Sequence, residues 1–443
     1  MPPIYRRSFL KGSLIAALGV SRAGAWAAEK PSAQKEPSAS PIRPLVTTPP
    51  TLQIPSPTSM GVAWGVAGPA TGFVDVGTRP DLSDTRRVSA GDGGLKALDE
   101  AALAVRLTGL APDTLYYYRT GTVPIDFQGA YKIFPGTPVL GKIHSFRTPG
   151  LESKAAFAVI NDTHENNPAF ALLAAKIASL GPAVTVWNGD VCNWLEQMPK
   201  MVQNLLNPGQ CGFAVDRPFL YTPGNHDYRG VLARELPRLL MTRDPDERDG
   251  AYWTLTRNYA VRLGDMALIG LDTGEDKPDD RREWGGLAQF APYRTLQARW
   301  LAGALERSDI KSAPFVVAFC HIPLFDDSPK ANPGDIAEGF ASWQRPCHDL
   351  WAPLFEKHGV QLVICAHTHQ YRFDAPKNGR TWAQLVAGSG CDMKQDRELT
   401  VLEGKVAGGK LVMTVHGLTS KSVLGEFSFA PRSGRRVRPD AGL

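Results

Sequence analysis

Phe219-Leu220-Tyr221-Thr222-Pro223-Gly224-Asn225-His226-Asp227 passes from an apolar run into a polar cluster. Three bulky apolar residues give way to a glycine and three polar side chains. A short apolar run of this kind reads as a buried strand, and the polar cluster as the loop at its carboxyl end. The pattern recurs in four other places. Phe157–Ile160 runs into Asp162-Thr163-His164, and Val184–Trp187 into Gly189-Asp190. Phe315–Phe319 runs into Cys320-His321, and Leu362–Cys365 into His367-Thr368-His369. Between these runs lie helical patterns, Pro168–Leu180 and Gln297–Leu305 among them. Strands alternating with helices build a layered α/β domain. In such a sheet, loops at the carboxyl ends of neighbouring strands share one crevice.

The side chains brought to that crevice are metal ligands by type. A phosphate ester resists hydrolysis because its oxygens repel nucleophiles and its leaving group is poor. Two divalent cations about 3.5–4 Å apart answer both problems by clamping the phosphoryl oxygens and acidifying a bridging water. Hard oxygen and imidazole ligands suit Mn, Fe and Zn. Asp190 reads as the bridging carboxylate, with one oxygen for each ion. Asp162, His164 and His369 complete one site, and Asn225, His321 and His367 the other. Two divalent ions against two aspartates and a hydroxide leave one positive charge facing an anionic substrate. His226 directly follows Asn225, so its side chain points elsewhere and is placed to assist the phosphoryl group or its leaving oxygen. Asp272, at the end of Leu268–Leu271, reads as outer support for the ligands. Asp227 reads equally as an orienting group or a turn cap, and Arg229 as a solvated loop side chain in preference to a substrate contact.

These five elements, in order over residues 162–369, resemble the signature of the calcineurin-like metallophosphoesterase family: D-x-H, G-D, G-N-H-D/E, a later His, and G-H-x-H. Ala366 stands where the family usually has Gly, and only a local effect is expected. The resemblance implies an α/β/β/α sandwich. It also implies Asp162, His164, Asp190, Asn225, His321, His367 and His369 as ligands, and His226 as the catalytic imidazole.

Upstream, residues 51–149 alternate as strands do (Val62, Trp64, Val66; Leu103, Val105, Leu107), with Gly, Pro and Asp between runs. A small all-β sandwich is predicted. Leu110-Ala111-Pro112-Asp113-Thr114-Leu115-Tyr116 resembles the tyrosine corner of fibronectin type III domains, in which a Tyr hydroxyl bonds back to nearby backbone. A sandwich followed by a two-metal domain is similar to the architecture of purple acid phosphatases, and Gly224–Gly230 resembles a segment of some of them. Those enzymes have D-x-G, and a tyrosine after G-D whose tyrosinate on ferric iron gives the colour. Here His164 replaces that Gly, and Val191-Cys192-Asn193 follows Asp190, so a colourless protein is expected.

The termini and composition complete the reading. Tyr5-Arg6-Arg7-Ser8-Phe9-Leu10-Lys11 resembles a twin-arginine export signal, with Ala25-Trp26-Ala27 as the cleavage site. This implies periplasmic or secreted placement with metal loaded before export. Its apolar run, Ser13–Val20, is too short to span a membrane. Residues 28–50 read as a Pro/Ser/Ala/Lys linker, 150–430 as the catalytic domain and 431–443 as a flexible basic tail. The net charge of +5 arises at the N-terminus: without Arg6, Arg7, Lys11 and Arg22, 45 basic side chains face 44 acidic ones. No basic stripe for nucleic acid is present. Of six cysteines, Cys320 and Cys365 read as buried thiols in strands, and the other four leave disulfide pairing open. The function expected is hydrolysis of small phosphate esters, monoesters in preference, by attack of a metal-bridging hydroxide. A phosphodiesterase or nucleotidase with the same site is the alternative, and a non-catalytic binding module on the same fold a more distant one. The long loops Glu275–Tyr293 and Ile322–Arg345 are expected to shape substrate access.

Overall fold

The computed structural model describes residues 44–153, 155–240, 255, 257–325, 340–377, 379–392 and 397–438. The stretches read as an export signal and its cleavage site, and the first part of the linker, lie outside the described residues. From residue 44 onward the linker is already packed. Ala67 N–H donates to Leu45 O and Thr47 N–H to Gly65 O, both at 2.9 Å.

Alternation along each strand explains the layering. Within Ala156–Ile160, Phe157 and Val159 face one way and Ala158 and Ile160 the other, and all four are buried. Phe157 and Val159 join Val186, Leu220, Leu268, Val317, Phe319, Ile364 and Leu385 in a core between two sheets. Ala158, Ile160 and Trp187 pack outward on Phe170, Leu173, Met201 and Leu205 of the helices Asn167–Leu180 and Met198–Leu206. On the far side, Ile269, Val316 and Val363 pack on Leu301, Leu305, Trp351 and Phe355 of the helices Phe290–Glu306 and Phe340–His358. The result is the α/β/β/α sandwich. Each fully buried Val, Leu, Ile or Phe contributes about 1.5–3 kcal/mol to holding it.

One sheet of the sandwich runs Tyr259–Leu263, Met266–Gly270, Phe315–Phe319, Leu362–Cys365, Ala383–Val386, Arg372–Asp374. Its central strands are parallel. The other has nine strands. Ser422–Phe429, Lys410–Gly417 and Thr400–Ala407 lead into the parallel set Ala156–Ile160, Val184–Asn188 and Phe219–Thr222. The sheet then continues into Thr51–Ser56, Ser59–Gly65 and Ala102–Leu107. The join is a parallel pairing of Gln53 with Phe219. The boundary expected near residue 150 therefore does not separate two independent sheets.

The small all-β sandwich uses these last three strands as one layer. Its other layer is a six-stranded sheet built around Leu115–Gly129, which pairs with Ala70–Gly77 and His144–Arg147. Trp64, Leu103 and Val105 meet Val74, Val76, Tyr118 and Phe146 between the layers. The tyrosine corner forms as expected: Ala111 N–H donates to the Tyr116 hydroxyl at 2.9 Å. The chain end differs from the flexible tail expected. Arg432 donates to the carbonyls of Ala313 and His358, and Arg438 Nε lies 3.0 Å from Asp265 Oδ1. Residues 431–438 are thus docked. A helix also begins at Phe340, inside the stretch read as a loop up to Arg345. All six cysteines are free thiols. No helix among the described residues is long and apolar enough to cross a membrane.

Candidate metal centre

Every proposed ligand lies just beyond a strand, and most sit on strained backbone. Asp162, His164, Asp190, His367 and His369 have φ between 42° and 70°. Left-handed backbone is uncommon outside glycine, though Asp and His tolerate it. Clusters of such residues mark functional sites. The strain explains how Asp162 and His164, or His367 and His369, turn into one crevice. They do so through left-handed kinks, not through the alternation of extended chain. Two glycines allow the loops to close together. A Cβ at Gly189 would lie 2.4 Å from His321 Nδ1, and one at Gly224 would lie 2.2 Å from Asp190 Oδ1. Ala366 is fully buried and has no left-handed φ, so it fits where glycine is usual.

The structure brings all eight predicted residues together. His164 Nε2 lies 3.6 Å from Asp190 Oδ2 and 3.9 Å from Asp162 Oδ1. His321 Nε2 lies 3.2 Å from Asp190 Oδ2 and 3.7 Å from Asp162 Oδ1. His369 Nε2 is 3.3 Å from Asp162 Oδ1. His367 Nδ1 faces Asn225 Oδ1 at 2.9 Å. The His226 ring centre lies 4.8 Å from that of His164, edge to face. One detail departs from the sequence reading. Asp190 Oδ1 accepts the His226 backbone N–H at 2.8 Å, so Oδ2 alone stands between the His164 and His321 nitrogens.

The outer partners fix which atoms look inward. His321 Nδ1 donates to Asn188 O at 2.8 Å, which turns Nε2 toward the carboxylates. His369 Nδ1 is 3.0 Å from Asp392 Oδ2, which is also 3.1 Å from Arg397 Nη1. A carboxylate behind a ligating imidazole is a recurrent support for bound metal. Asp227 is a turn clamp: its carboxylate accepts from the backbone N–H groups of Asp190, Val191 and Gly224 at 2.9–3.1 Å. Asp272 does not touch a ligand. It accepts hydrogen bonds from Tyr228, Gly274 and Tyr293, and so anchors the loop that carries His226.

Arg229 is not solvated. Its side chain is 17% exposed and Nε is paired to Glu275. Nη1 lies 2.8 Å from His226 Nε2. Nη1 also lies 3.3 Å from His226 Nδ1, so the guanidinium sits over the imidazole and not on the outward lone pair of one nitrogen. His226 Nδ1 lies 3.3 Å from Asn193 O. Burial, with Arg229 and His164 nearby, lowers the His226 pKa against the pull of Asp190. The sequence offers Arg229 only as the less favoured substrate contact, and gives Asp392 no role. The signal for Asp392 was a further polar loop, Gly388–Asp392, following the strand Ala383–Val386.

Electrostatics favour cations here. Asp162 Oδ1 and His321 Nε2 are buried and complete no hydrogen bond, which is costly unless something else satisfies them. Burial opposes ionisation of Asp190, yet His321, His226 and His164 hold it well below the usual carboxylate range. Burial likewise opposes a charge on His321, but Asp190 and Asp162 raise its pKa to about 10. At His369 burial is again overcome, mainly by Asp162, and the value reaches about 11. Protons on these rings are the chain's own means of balancing two buried carboxylates. Divalent cations of the type suited to N and O ligands fit the same atoms.

A family profile described as Calcineurin-like phosphoesterase matches residues 155–371, a span that holds all eight residues. This segment belongs to the calcineurin-like phosphoesterase family. The chain is also similar to probable purple acid phosphatase 20 of Arabidopsis thaliana, 24% identical over 59% of this chain and 53% of that protein. A phosphoenolpyruvate phosphatase of Allium cepa is 24% identical over 60% of this chain and 49% of that one. The chain thus spans about half the length of these relatives. A purple acid phosphatase structure from yellow lupin seeds shares the fold, with a TM-score of 0.62 and 14% identity, over 86% of this chain and 74% of that one. Within this phosphoesterase domain the residue two after Asp162 is His164, and Asp190 is followed by buried Val191. Tyr228, the tyrosine of the GNHDYRG segment, is bonded to Asp272 instead.

Proposed function

We propose that the protein is an exported phosphoesterase that hydrolyses small phosphate esters, monoesters in preference, at a site for two divalent cations. The observation that carries this reading is the convergence of five imidazoles, two aspartates and Asn225 around buried, unsatisfied ligand atoms. Asp162, His164 and His369 would hold one cation, Asn225, His321 and His367 the other, and Asp190 would serve both. Mn, Fe and Zn are the candidates. Bound there, the cations supply Lewis acidity toward the phosphoryl oxygens and lower the pKa of a water.

The chain's own groups then act on the leaving side. In the resting arrangement the Arg229 guanidinium lies against the His226 ring. An arriving phosphate is a stronger acceptor for a guanidinium, and would draw Arg229 off the ring. His226 is then free to take up a proton and pass it to the leaving oxygen. Arg229, neutralised by Glu275 in the resting state, offers the dianionic monoester an added contact that a diester, with one oxygen fewer in charge, uses less. This favours monoesters. Export rests on the Arg6-Arg7 motif and the short apolar run behind it.

Hydrolysis of an aryl phosphate against its bis-aryl diester, with Mn, Fe and Zn each supplied, tests the proposal. Faster monoester turnover is expected, and a metal-loaded sample without a strong band in the middle of the visible range. Negligible activity on both esters with metal bound would overturn it.

A further inference from the structure

Trp194 is the exposed member of the described tryptophans, at 57%. Its ring centre lies 6.3 Å from that of His226, with the planes tilted by 59°. A single exposed aromatic is ordinary on a protein surface. What distinguishes this one is its place and the rigidity of its mounting. On one side, Asn193 is tied to the site: its Nδ2 donates to His164 O at 3.2 Å, and its Oδ1 lies 3.1 Å from His164 Nδ1. On the other, Leu195 is fully buried and its N–H donates to Arg229 O at 2.7 Å. Leu195 O accepts from Leu232 N–H at 2.8 Å. The approach is close enough that a Cβ on Gly230 would lie 2.4 Å from Leu195 O. The backbone around Trp194 is therefore fixed to both the His164 loop and the His226 loop, while the indole stands in solvent beside His226.

That position is on the leaving-group side. His226 is the imidazole placed to serve the leaving oxygen, and whatever that oxygen carries must extend past His226. We infer that Trp194 is the wall against which the organic part of the substrate packs, and that the preferred substrates are phosphate esters carrying a planar aromatic group. This inference rests on the phosphoesterase reading above. A rigid indole offers a π face to a planar ring at little conformational cost. Such stacking is tolerant of which ring is presented. An aryl alcohol places its ring next to the ester oxygen, and a nucleoside places its base farther out. The shared chemistry is the flat aromatic face.

The test uses the full chain loaded with Mn. Phenyl phosphate, adenosine 5′-monophosphate and methyl phosphate are compared in the unsubstituted protein, Trp194→Ala and Trp194→Phe. Binding of phenylphosphonate and methylphosphonate, measured by calorimetry, is followed in the same three proteins. In Trp194→Ala the ratio of kcat/KM for the aromatic esters to that for methyl phosphate should fall roughly tenfold, the scale of one stacked ring. The loss should appear in KM, and Trp194→Phe should restore most of it. A loss confined to phenyl phosphate places the stacked ring at the ester oxygen, and one confined to the nucleotide places it farther out. Either supports the inference. Ratios and phosphonate selectivity unchanged within about twofold in Trp194→Ala would overturn it. The phosphonate arm needs no turnover. Failure of the phosphoesterase reading, seen as no hydrolysis of any ester, therefore remains distinguishable from failure of the stacking inference.

Discussion

Asp75 in the β-sandwich and Asp190 in the crevice are both buried aspartates, and they are treated in opposite ways. Asp75 is flanked by Arg87 at 2.7 Å and Arg119 at 3.1 Å. Burial works against its ionisation, but the two guanidiniums hold it below its ordinary range. Those cations are permanent and belong to the chain. Around Asp190 and Asp162 stand imidazoles, whose charge is conditional on a proton. In the sandwich the fold balances its own charge, which serves stability. In the crevice the balance is left to a group that can come and go, which serves chemistry.

The sharpest way to break this comparison is a pair of isosteric changes. Asp190→Asn should abolish ester hydrolysis and leave little of either metal bound, as read by turnover and elemental analysis. Asp75→Asn should do neither. It should lower the melting temperature, at a cost of about 1–2 kcal/mol, because both arginines are partly exposed and solvent screens them. If Asp190→Asn retained two metals, the charge argument would fail.

His226→Ala should lower kcat by roughly 10²–10⁴-fold, the range for an acid–base group, with metal content nearly intact. Loss of metal in that variant would make His226 a ligand. Arg229→Ala comes next, with kcat/KM for monoesters falling roughly 10–100-fold, the scale of a hydrogen bond to a charged group. The sign of its pH effect is fixed. Arg229 disfavours a second positive charge on His226, so its removal raises the His226 pKa. The limb of the kcat/KM profile set by that ring should move to higher pH. An unmoved limb would separate Arg229 from the ring's titration. Asp392→Asn should have the smallest effect, weakening metal affinity by roughly tenfold through a less firmly held His369. Metal titration with turnover at saturating metal would show affinity lost and kcat largely kept.

The ligand set was legible because strand ends and ligand-type residues coincide five times in order. What supports the set was not. Arg229 reads as an ordinary loop residue until Glu275, 46 positions away, is seen against it. Asp392 lies beyond the last recognisable motif, and its role depends on how the loop around Gly390 packs on Asn161. The left-handed kinks at the ligands cannot be read from Asp and His, which tolerate that region without requiring it. The helix Phe340–His358 is obscured by Pro346 and Pro353, residues that ordinarily argue against a helix. The junction between the two β systems is a backbone pairing, and backbone atoms carry no sequence signal.

That junction has a practical consequence. A fragment trimmed to start at residue 150 would strip Thr51–Ser56 from the flank of Phe219–Thr222. The newly bared edge would present unpaired amides and carbonyls, an invitation to stick to a second copy. Anyone wishing to express the hydrolytic half alone would do better to keep the upstream strands, which splint the segment from which His226 is hung.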